Sequence, residues 1–512
     1  MESEEETMAD EAKKGPTRKR STKAAPALDL APGGAPAGNG EGGLPASFRP
    51  PNEASALEEV RDRADTVRTG LAVSLRRTGR QNLKGPAGRI AIVDGCRTPF
   101  VKAGTLFKDM DAIDLAGAAA GELVARTGID PAAIDFSIFG TVIPQVNAPN
   151  LGREVVFRIG LPMDVPGTTV NLACASSNRA ICFGAEQILT GECEVVLAGG
   201  AESLSNVPIL FSRKASDTFI ALSRAKSLPA KVGTLSRLRP ADLAPQAPAI
   251  AEYTTGMTMG QSGEKMAKEN DVSRRAQDEI ALMSHQRAAA AIEDGRMGEM
   301  IATTFPPPRY DRAVDRDNGV RADSSIEALA GLKPVFDKRY GTLTAGNSSP
   351  LTDGGSAVLL MSEEQAKALG YEPLGYIRSF AFAALDPATQ LLQGPAYAAP
   401  VALERAGIEL ADVDLVEMHE AFAAQVLSNM KALASKKFAE AELGRTKPVG
   451  EVDLDRFNVT GGSIAIGHPF GATGARIVTQ LLYELRRRGL NLGLLTVCAA
   501  GGMGHAMVVE RE

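Results

Sequence analysis

The segment "ARTGIDPAAIDF", Ala125–Phe136, returns as "ERAGIELADVDL", Glu404–Leu415, with arginine, glycine, isoleucine and aspartate in register. A second echo links "GSAVLLM", Gly355–Met361, to "GHAMVVE", Gly504–Glu510. Two similar α/β halves account for both. Strand-like runs such as "EVVLAGG" (Glu194–Gly200) and "LGLLTVC" (Leu492–Cys498) alternate with helical patterns, as layered sheets covered by helices require. The compact part is expected to begin at the strand "RIAIVDG", Arg89–Gly95, with one half over 89–363 and the other over 364–512. An irregular region, about 203–334, fits neither repeat and reads as an inserted loop domain.

The chain has 512 residues, 44% hydrophobic and 23% charged, enough for a large core and roughly two to four structural units. Its formal charge of -6 provides no global basic field for nucleic acid or anionic membrane. The five cysteines are odd in number and widely spaced, with no CxxC pair and no run of His/Cys ligands. This argues against a disulfide framework or a zinc site and suggests a reducing compartment. No apolar run is long enough to span a membrane, the start has neither a signal-like nor a transit-like pattern, and "VERE" is no peroxisomal address. A cytoplasmic location is the expectation.

Residues 1–50 mix charged clusters with a Pro/Gly/Ala-rich stretch and are expected to be disordered. Ser55 and Glu58 make a capping-box pattern ahead of Leu57, Val60, Ala64, Val67, Leu71 and Leu75, which predicts a helix over 55–77 that docks on its own core or on a partner. In the insert, residues 209–240 combine apolar positions with Arg213, Lys214, Arg224, Lys226, Lys231, Arg237 and Arg239. They read as a solvated basic face or as a contact for a CoA phosphate, a membrane surface or a partner.

Four residues stand where chemistry is expected. Cys174, in "NLACASSNRAI", falls at a strand-to-helix turn, where the helix N-terminus favours thiolate; the alternative is a small buried apolar residue. His468 lies in "GGSIAIGHPFGATG", Gly461–Gly474, which lacks both GxxxxGK[ST] and GxGxxG, so the nucleotide-loop reading weakens in favour of a mount for an imidazole. Cys498 ends an apolar strand before a glycine turn, and His419 in "EMHEAFAAQ" follows a strand without forming HExxH. Each alone could be structural, but together they occupy strand C-terminal ends, where α/β architectures build sites.

The same segments resemble the thiolases. "NLACASSNRAI" is similar to the family's nucleophile segment, "NVTGGSIAIGHPFGATGARI" to its glycine signature, "VCAAGGMG" to its C-terminal cysteine loop, and "RYGTLTAGNSSPLTDGGSAVLLMS" to the segment along CoA. The resemblance covers about Arg89–Glu510 and implies a layered αβαβα fold. It implies Cys174 as nucleophile, His468 as its base, Cys498 as the acid/base that protonates an acetyl-CoA enolate, and oxyanion holes involving His419 and the backbone N–H groups of Cys174 and Ala500. Ser349 and Ala345 match positions that touch pantetheine. No metal and no permanently bound cofactor are implied; CoA and acyl-CoA are substrates.

Where most thiolases carry asparagine this chain has His419, and "HEAFA" resembles the β subunit of the fatty-acid oxidation trifunctional complex and its bacterial counterpart. That implies cleavage of longer 3-ketoacyl-CoA, a homodimer or dimer of dimers, and a hydratase/dehydrogenase partner subunit. Biosynthetic condensation of acetyl-CoA and a non-catalytic scaffold are the alternatives.

Overall fold

The structure, a computed structural model, describes residues 83–85, 87–245 and 251–512. The N-terminal expectations, disorder over 1–50 and a helix over 55–77, fall outside the described residues. Ten strands form the sheet framework: β1 Ile90–Arg97, β2 Val101–Lys102, β3 Phe136–Gly140, β4 Gly167–Val170, β5 Val195–Glu202, β6 Thr352–Ser362, β7 Gly375–Ala384, β8 Leu415–Met418, β9 Leu492–Ala499 and β10 Met503–Glu510. The helices that matter most are α1 Ala112–Thr127, α2 Ser176–Thr190, α3 Arg274–Glu293, α4 Gly394–Ala406, α5 Ala423–Ala434 and α6 Thr473–Arg488.

The sequence echo is one piece of structure made twice. Gly128 ends α1 at φ 63° and Gly407 ends α4 at φ 70°, left-handed caps that only glycine adopts without strain. A single 3-10 turn follows each, then β3 or β8. The shared aspartates explain their own recurrence. Asp135 Oδ2 accepts the N–H groups of Glu194 (2.7 Å) and Val195 (2.9 Å), while Asp414 Oδ2 accepts those of Asn491 (2.9 Å) and Leu492 (2.8 Å). Each carboxylate thus pins the first residue of the parallel neighbour, β5 beside β3 and β9 beside β8.

Strand pairing runs β4-β3-β5-β6-β1-β7-β10-β9-β8, with β2 against β6. Five strands of the path belong to one half and four to the other, and only Ile90–Ile92 of β1 joins β7 across the seam. Helices α2 and α6 pack on each other between the two half-sheets, burying Ile181, Ile477 and Leu481 against Val196, Leu495 and Met507. Helix α1 covers the outer face of the first half with Leu115 and Leu123 against Leu197 and Leu359, and α4 covers the second with Leu403 against Val508. Alternate strand residues therefore feed different apolar layers, Val196 inward and Leu197 outward, which is why the runs read as continuously apolar. The five layers are helix, sheet, helix, sheet, helix.

Between β5 and β6 the chain adds short helices and α3. Its anchor is a buried ion pair: Asp317 accepts from Arg97 Nη1 (2.6 Å) and Nη2 (2.8 Å) and also from the N–H of Phe100 (2.7 Å). Helix α3 in turn packs on the segment Ser463–Ile466 that leads to His468. The insert thus braces the glycine-rich stretch.

Candidate active site

Cys174 occupies the turn between β4 and α2, closed by Ser176 Oγ, which accepts the Leu172 N–H (2.9 Å) and donates to the Ala173 carbonyl (2.7 Å). The turn forces Ala173 to φ 44°, left-handed for a residue with a Cβ, at a cost of roughly 1–3 kcal/mol. His468 lies ahead of α6 in the other half, but it follows the short helix Ser463–Ile466 and not the strand end expected from the sequence. One half delivers the thiol and the other the imidazole.

His419 follows β8, its N–H donating to Thr496 O on β9 (2.8 Å), and its ring lies 4.1 Å from that of His468, tilted by 45°. One ligand atom each of Cys174, His419 and His468 lie within 4.8 Å of one another. The absence of a His/Cys cluster inferred from spacing therefore does not survive folding, because strand order brings together residues far apart in the chain. Both Nε2 atoms are buried and have no hydrogen-bond partner within the protein.

The Nδ1 contacts assign the two tautomers by hydrogen-bond logic. Thr473 Oγ1 donates to Pro469 O (3.1 Å), so at 2.7 Å it accepts from His468 Nδ1–H, and His468 Nε2 keeps a lone pair. Ser463 Oγ accepts from Arg476 Nη2 (2.7 Å), and its own hydrogen finds its acceptor in His419 Nδ1 at 2.8 Å, which leaves the hydrogen of that ring on Nε2. One ring is an acceptor and the other a donor. Ser463 and Thr473 stand symmetrically about His468 in the glycine-rich stretch, a signal that attention to its glycines obscured.

Helix α2 does not deliver the resting thiolate expected from sequence. Burial pushes the Cys174 thiol up to about 12, outweighing the backbone N–H groups of Ala500 and of Cys174 itself, which favour the anion. Burial and then Arg476 push His468 down to about 3. The resting pair is neutral thiol and neutral imidazole.

Cys498 is buried on β9 and its thiol is also raised, by burial first and then by nearby Cys174. Ala500 begins the turn carrying Gly501 and Gly502 at φ 84° and 67°, and Glu252 of the insert accepts the Gly501 N–H (2.8 Å). Cys174, His468, His419, Cys498 and the Ala500 N–H thus share one centre. Ser349 and Ala345 instead line a cavity of about 630 Å³ with Lys102, Arg321 and Ile464. Ile464 follows Ser463, so the cavity ends beside the residue holding His419. Its cations are Lys102 and Arg321; nothing from 209–240 lines it, and the CoA-phosphate reading of that segment receives no support.

The glycines of 461–474 face protein: a Cβ on Gly462 would meet the Glu420 carboxylate at 2.2 Å, and one on Gly474 would meet Asn178 Oδ1 at 2.0 Å. The smallness of Gly474 seats α6 against α2, and that of Gly462 leaves room for Glu420.

These features define a thiolase. Residues 90–364 match the thiolase N-terminal domain and residues 371–511 the thiolase C-terminal domain, and the chain belongs to that family. It is 51% identical over 424 residues to the 3-ketoacyl-CoA thiolase of Serratia proteamaculans, covering 83% of this chain and 97% of the relative. To that of Pseudoalteromonas translucida it is 51% identical over 429 residues, 84% and 98% of the two chains. Its fold is similar to human mitochondrial 3-ketoacyl-CoA thiolase in complex with CoA (TM-score 0.70, 31% identity, 85% and 99% covered). It is also similar to the Bacillus anthracis acetyl-CoA acetyltransferase (TM-score 0.71, 33% identity, 82% and 98% covered).

Proposed function

We propose that the chain is a 3-ketoacyl-CoA thiolase of fatty-acid β-oxidation, an acyltransferase that cleaves 3-ketoacyl-CoA with CoA. The observation that carries this reading is the opposed pair of imidazoles beside Cys174, one lone pair and one N–H. His468 Nε2 takes the thiol proton as Cys174 Sγ bonds to the 3-keto carbon. A thiol this hard to ionise loses its proton only as the new bond forms. The C2–C3 bond then breaks, leaving acyl-Cys174 and an acetyl-CoA enolate.

The enolate oxygen needs a donor, and His419 Nε2–H is one that the site offers. Cys498 gives its proton to the enolate carbon, takes one from incoming CoA, and the CoA thiolate attacks the acyl-Cys174 thioester. Acetyl-CoA and a shortened acyl-CoA leave. The cavity at Ser349 and Ala345, with the cations of Lys102 and Arg321 along it, fits a pantetheine arm ending in phosphates.

A series of 3-ketoacyl-CoA substrates from short to long, with release of acetyl-CoA as readout, tests the assignment; preference for acetyl-CoA condensation would move the chain to the biosynthetic class that the Bacillus anthracis neighbour represents. Homo-oligomerisation, a hydratase/dehydrogenase partner and a cytoplasmic location belong to the same proposal. The partner reading draws on the helices Arg213–Arg224 and Leu228–Leu235, which leave Ile220, Leu228 and Val232 exposed. Co-purification and sizing of the native protein test it.

A further inference from the structure

We propose that Cys174, His419 and His468 form a binding site for a thiophilic divalent cation, Zn²⁺, that switches the enzyme off. The inference stands on the side chains and not on the reaction assigned above. Three ligand atoms no more than 4.8 Å apart leave a point within about 2.8 Å of all three. Zinc bonds are about 2.3 Å to sulfur and about 2.0–2.1 Å to imidazole, so inward shifts of under about 1 Å complete three ligands. Thr473 and Ser463 take up the two Nδ1 atoms, and neither Nε2 atom has a protein partner, so the Nε2 atoms are the ones free to bind an ion. One thiolate and two imidazoles suit zinc better than magnesium or calcium.

The surroundings support the charge. Near Cys174, Glu202 accepts from the N–H groups of Val142 (3.0 Å), Ile143 (2.9 Å) and Gly471 (2.9 Å) and from the Thr141 hydroxyl (3.2 Å), which favour its anion against the burial that raises its pKa. Arg476 is held one residue away, behind Ser463. Thr473 and Ser463 serve as the outer hydrogen-bond partners that imidazole ligands require.

The protons balance. The Cys174 S–H bond breaks and its proton goes to solvent as the Zn–S bond forms. His468 binds through its existing Nε2 lone pair; the His419 ring proton moves from Nε2 to Nδ1, and the Ser463 hydroxyl turns from donating to that nitrogen to accepting from it with its second lone pair. One proton is released per ion. Asparagine in place of His419, the form most thiolases carry, removes one ligand.

Co²⁺ provides a probe independent of activity. Titrating the full-length protein with Co²⁺ should give a thiolate-to-cobalt charge-transfer band that saturates at one ion per chain and is displaced by Zn²⁺, with one proton released. Cys174→Ser should abolish the band, His419→Asn should weaken cobalt binding at least tenfold, and Cys498→Ala should retain both band and affinity. No saturable band in the wild-type protein, or a band that survives Cys174→Ser, overturns the proposal. Loss of the band in Cys498→Ala alone would place the metal elsewhere and overturn it equally.

Discussion

Ser463 Oγ stands between His419 Nδ1 at 2.8 Å and Arg476 Nη2 at 2.7 Å, so a buried cation dictates the direction of a hydrogen bond to a reactive ring. Arginine cannot accept, and the serine hydrogen meets no other acceptor than His419 Nδ1, so without a ligand the serine donates onward. The polarity of His419 is therefore fixed two residues away from the substrate.

Removing the hydroxyl tests that dictation. In Ser463→Ala the His419 ring can take either tautomer, and kcat should fall about ten- to hundredfold with KM for 3-ketoacyl-CoA little changed. Ser463→Thr should restore most of it. A parallel rise in KM, or no rescue by threonine, would assign Ser463 to packing instead.

The thiol and its base are expected to fail differently. Cys174→Ser should lose acyl-enzyme formation, read by mass spectrometry after incubation with acyl-CoA, and His468→Ala should reduce kcat/KM about 10²–10⁴-fold. In Cys498→Ala, exchange of the acetyl-CoA methyl protons with solvent should collapse. Normal exchange would point to another acid.

Stability should have a defined pH window. All four histidines of the chain are buried with depressed basicity, His468 and His505 to about 3, His285 to about 4 and His419 well below its ordinary value, burial leading in each. Each binds a proton on unfolding below its ordinary value near 6.5, so stability present above that pH drains away as the pH falls towards 4 and below. The raised thiols of Cys96, Cys174, Cys182 and Cys498 act oppositely, because the unfolded chain loses protons first above about pH 9. Glu417, pushed up to about 8 by burial, acts with the thiols, because the folded chain holds a proton there that the unfolded chain has lost, so urea midpoints should peak near about pH 6.5 and fall on both sides. A flat profile down to pH 4 would contradict the burial of the rings.

The brace of the insert gives the largest expected stability effect. Asp317→Ala leaves Arg97 buried without its partner and should cost about 3–5 kcal/mol by urea unfolding. A loss under about 1 kcal/mol would mean that water reaches the guanidinium.

The doubling of the fold was legible because its markers are local: a glycine that stops a helix and an aspartate that catches the next strand recur at fixed offsets. Cys174 and His468 were legible for the same reason, each preceding a helix in its half. What sequence could not supply was direction. Whether an imidazole donates or accepts depends on Ser463, Thr473 and Arg476, and the ionisation of Cys174 depends on burial by both halves. A helix N-terminus is visible in a sequence, whereas the protein packed around it is not.

Strand β10 is the last element of the chain yet lies inside the sheet, between β7 and β9. A growing polypeptide therefore carries Cys174 long before the sheet that positions Cys498 and the Ala500 N–H can close. During synthesis the thiol is present without its machinery, and the final strand acts as the key that completes it. Removing β10 takes a slat from the middle of the sheet rather than fraying its edge.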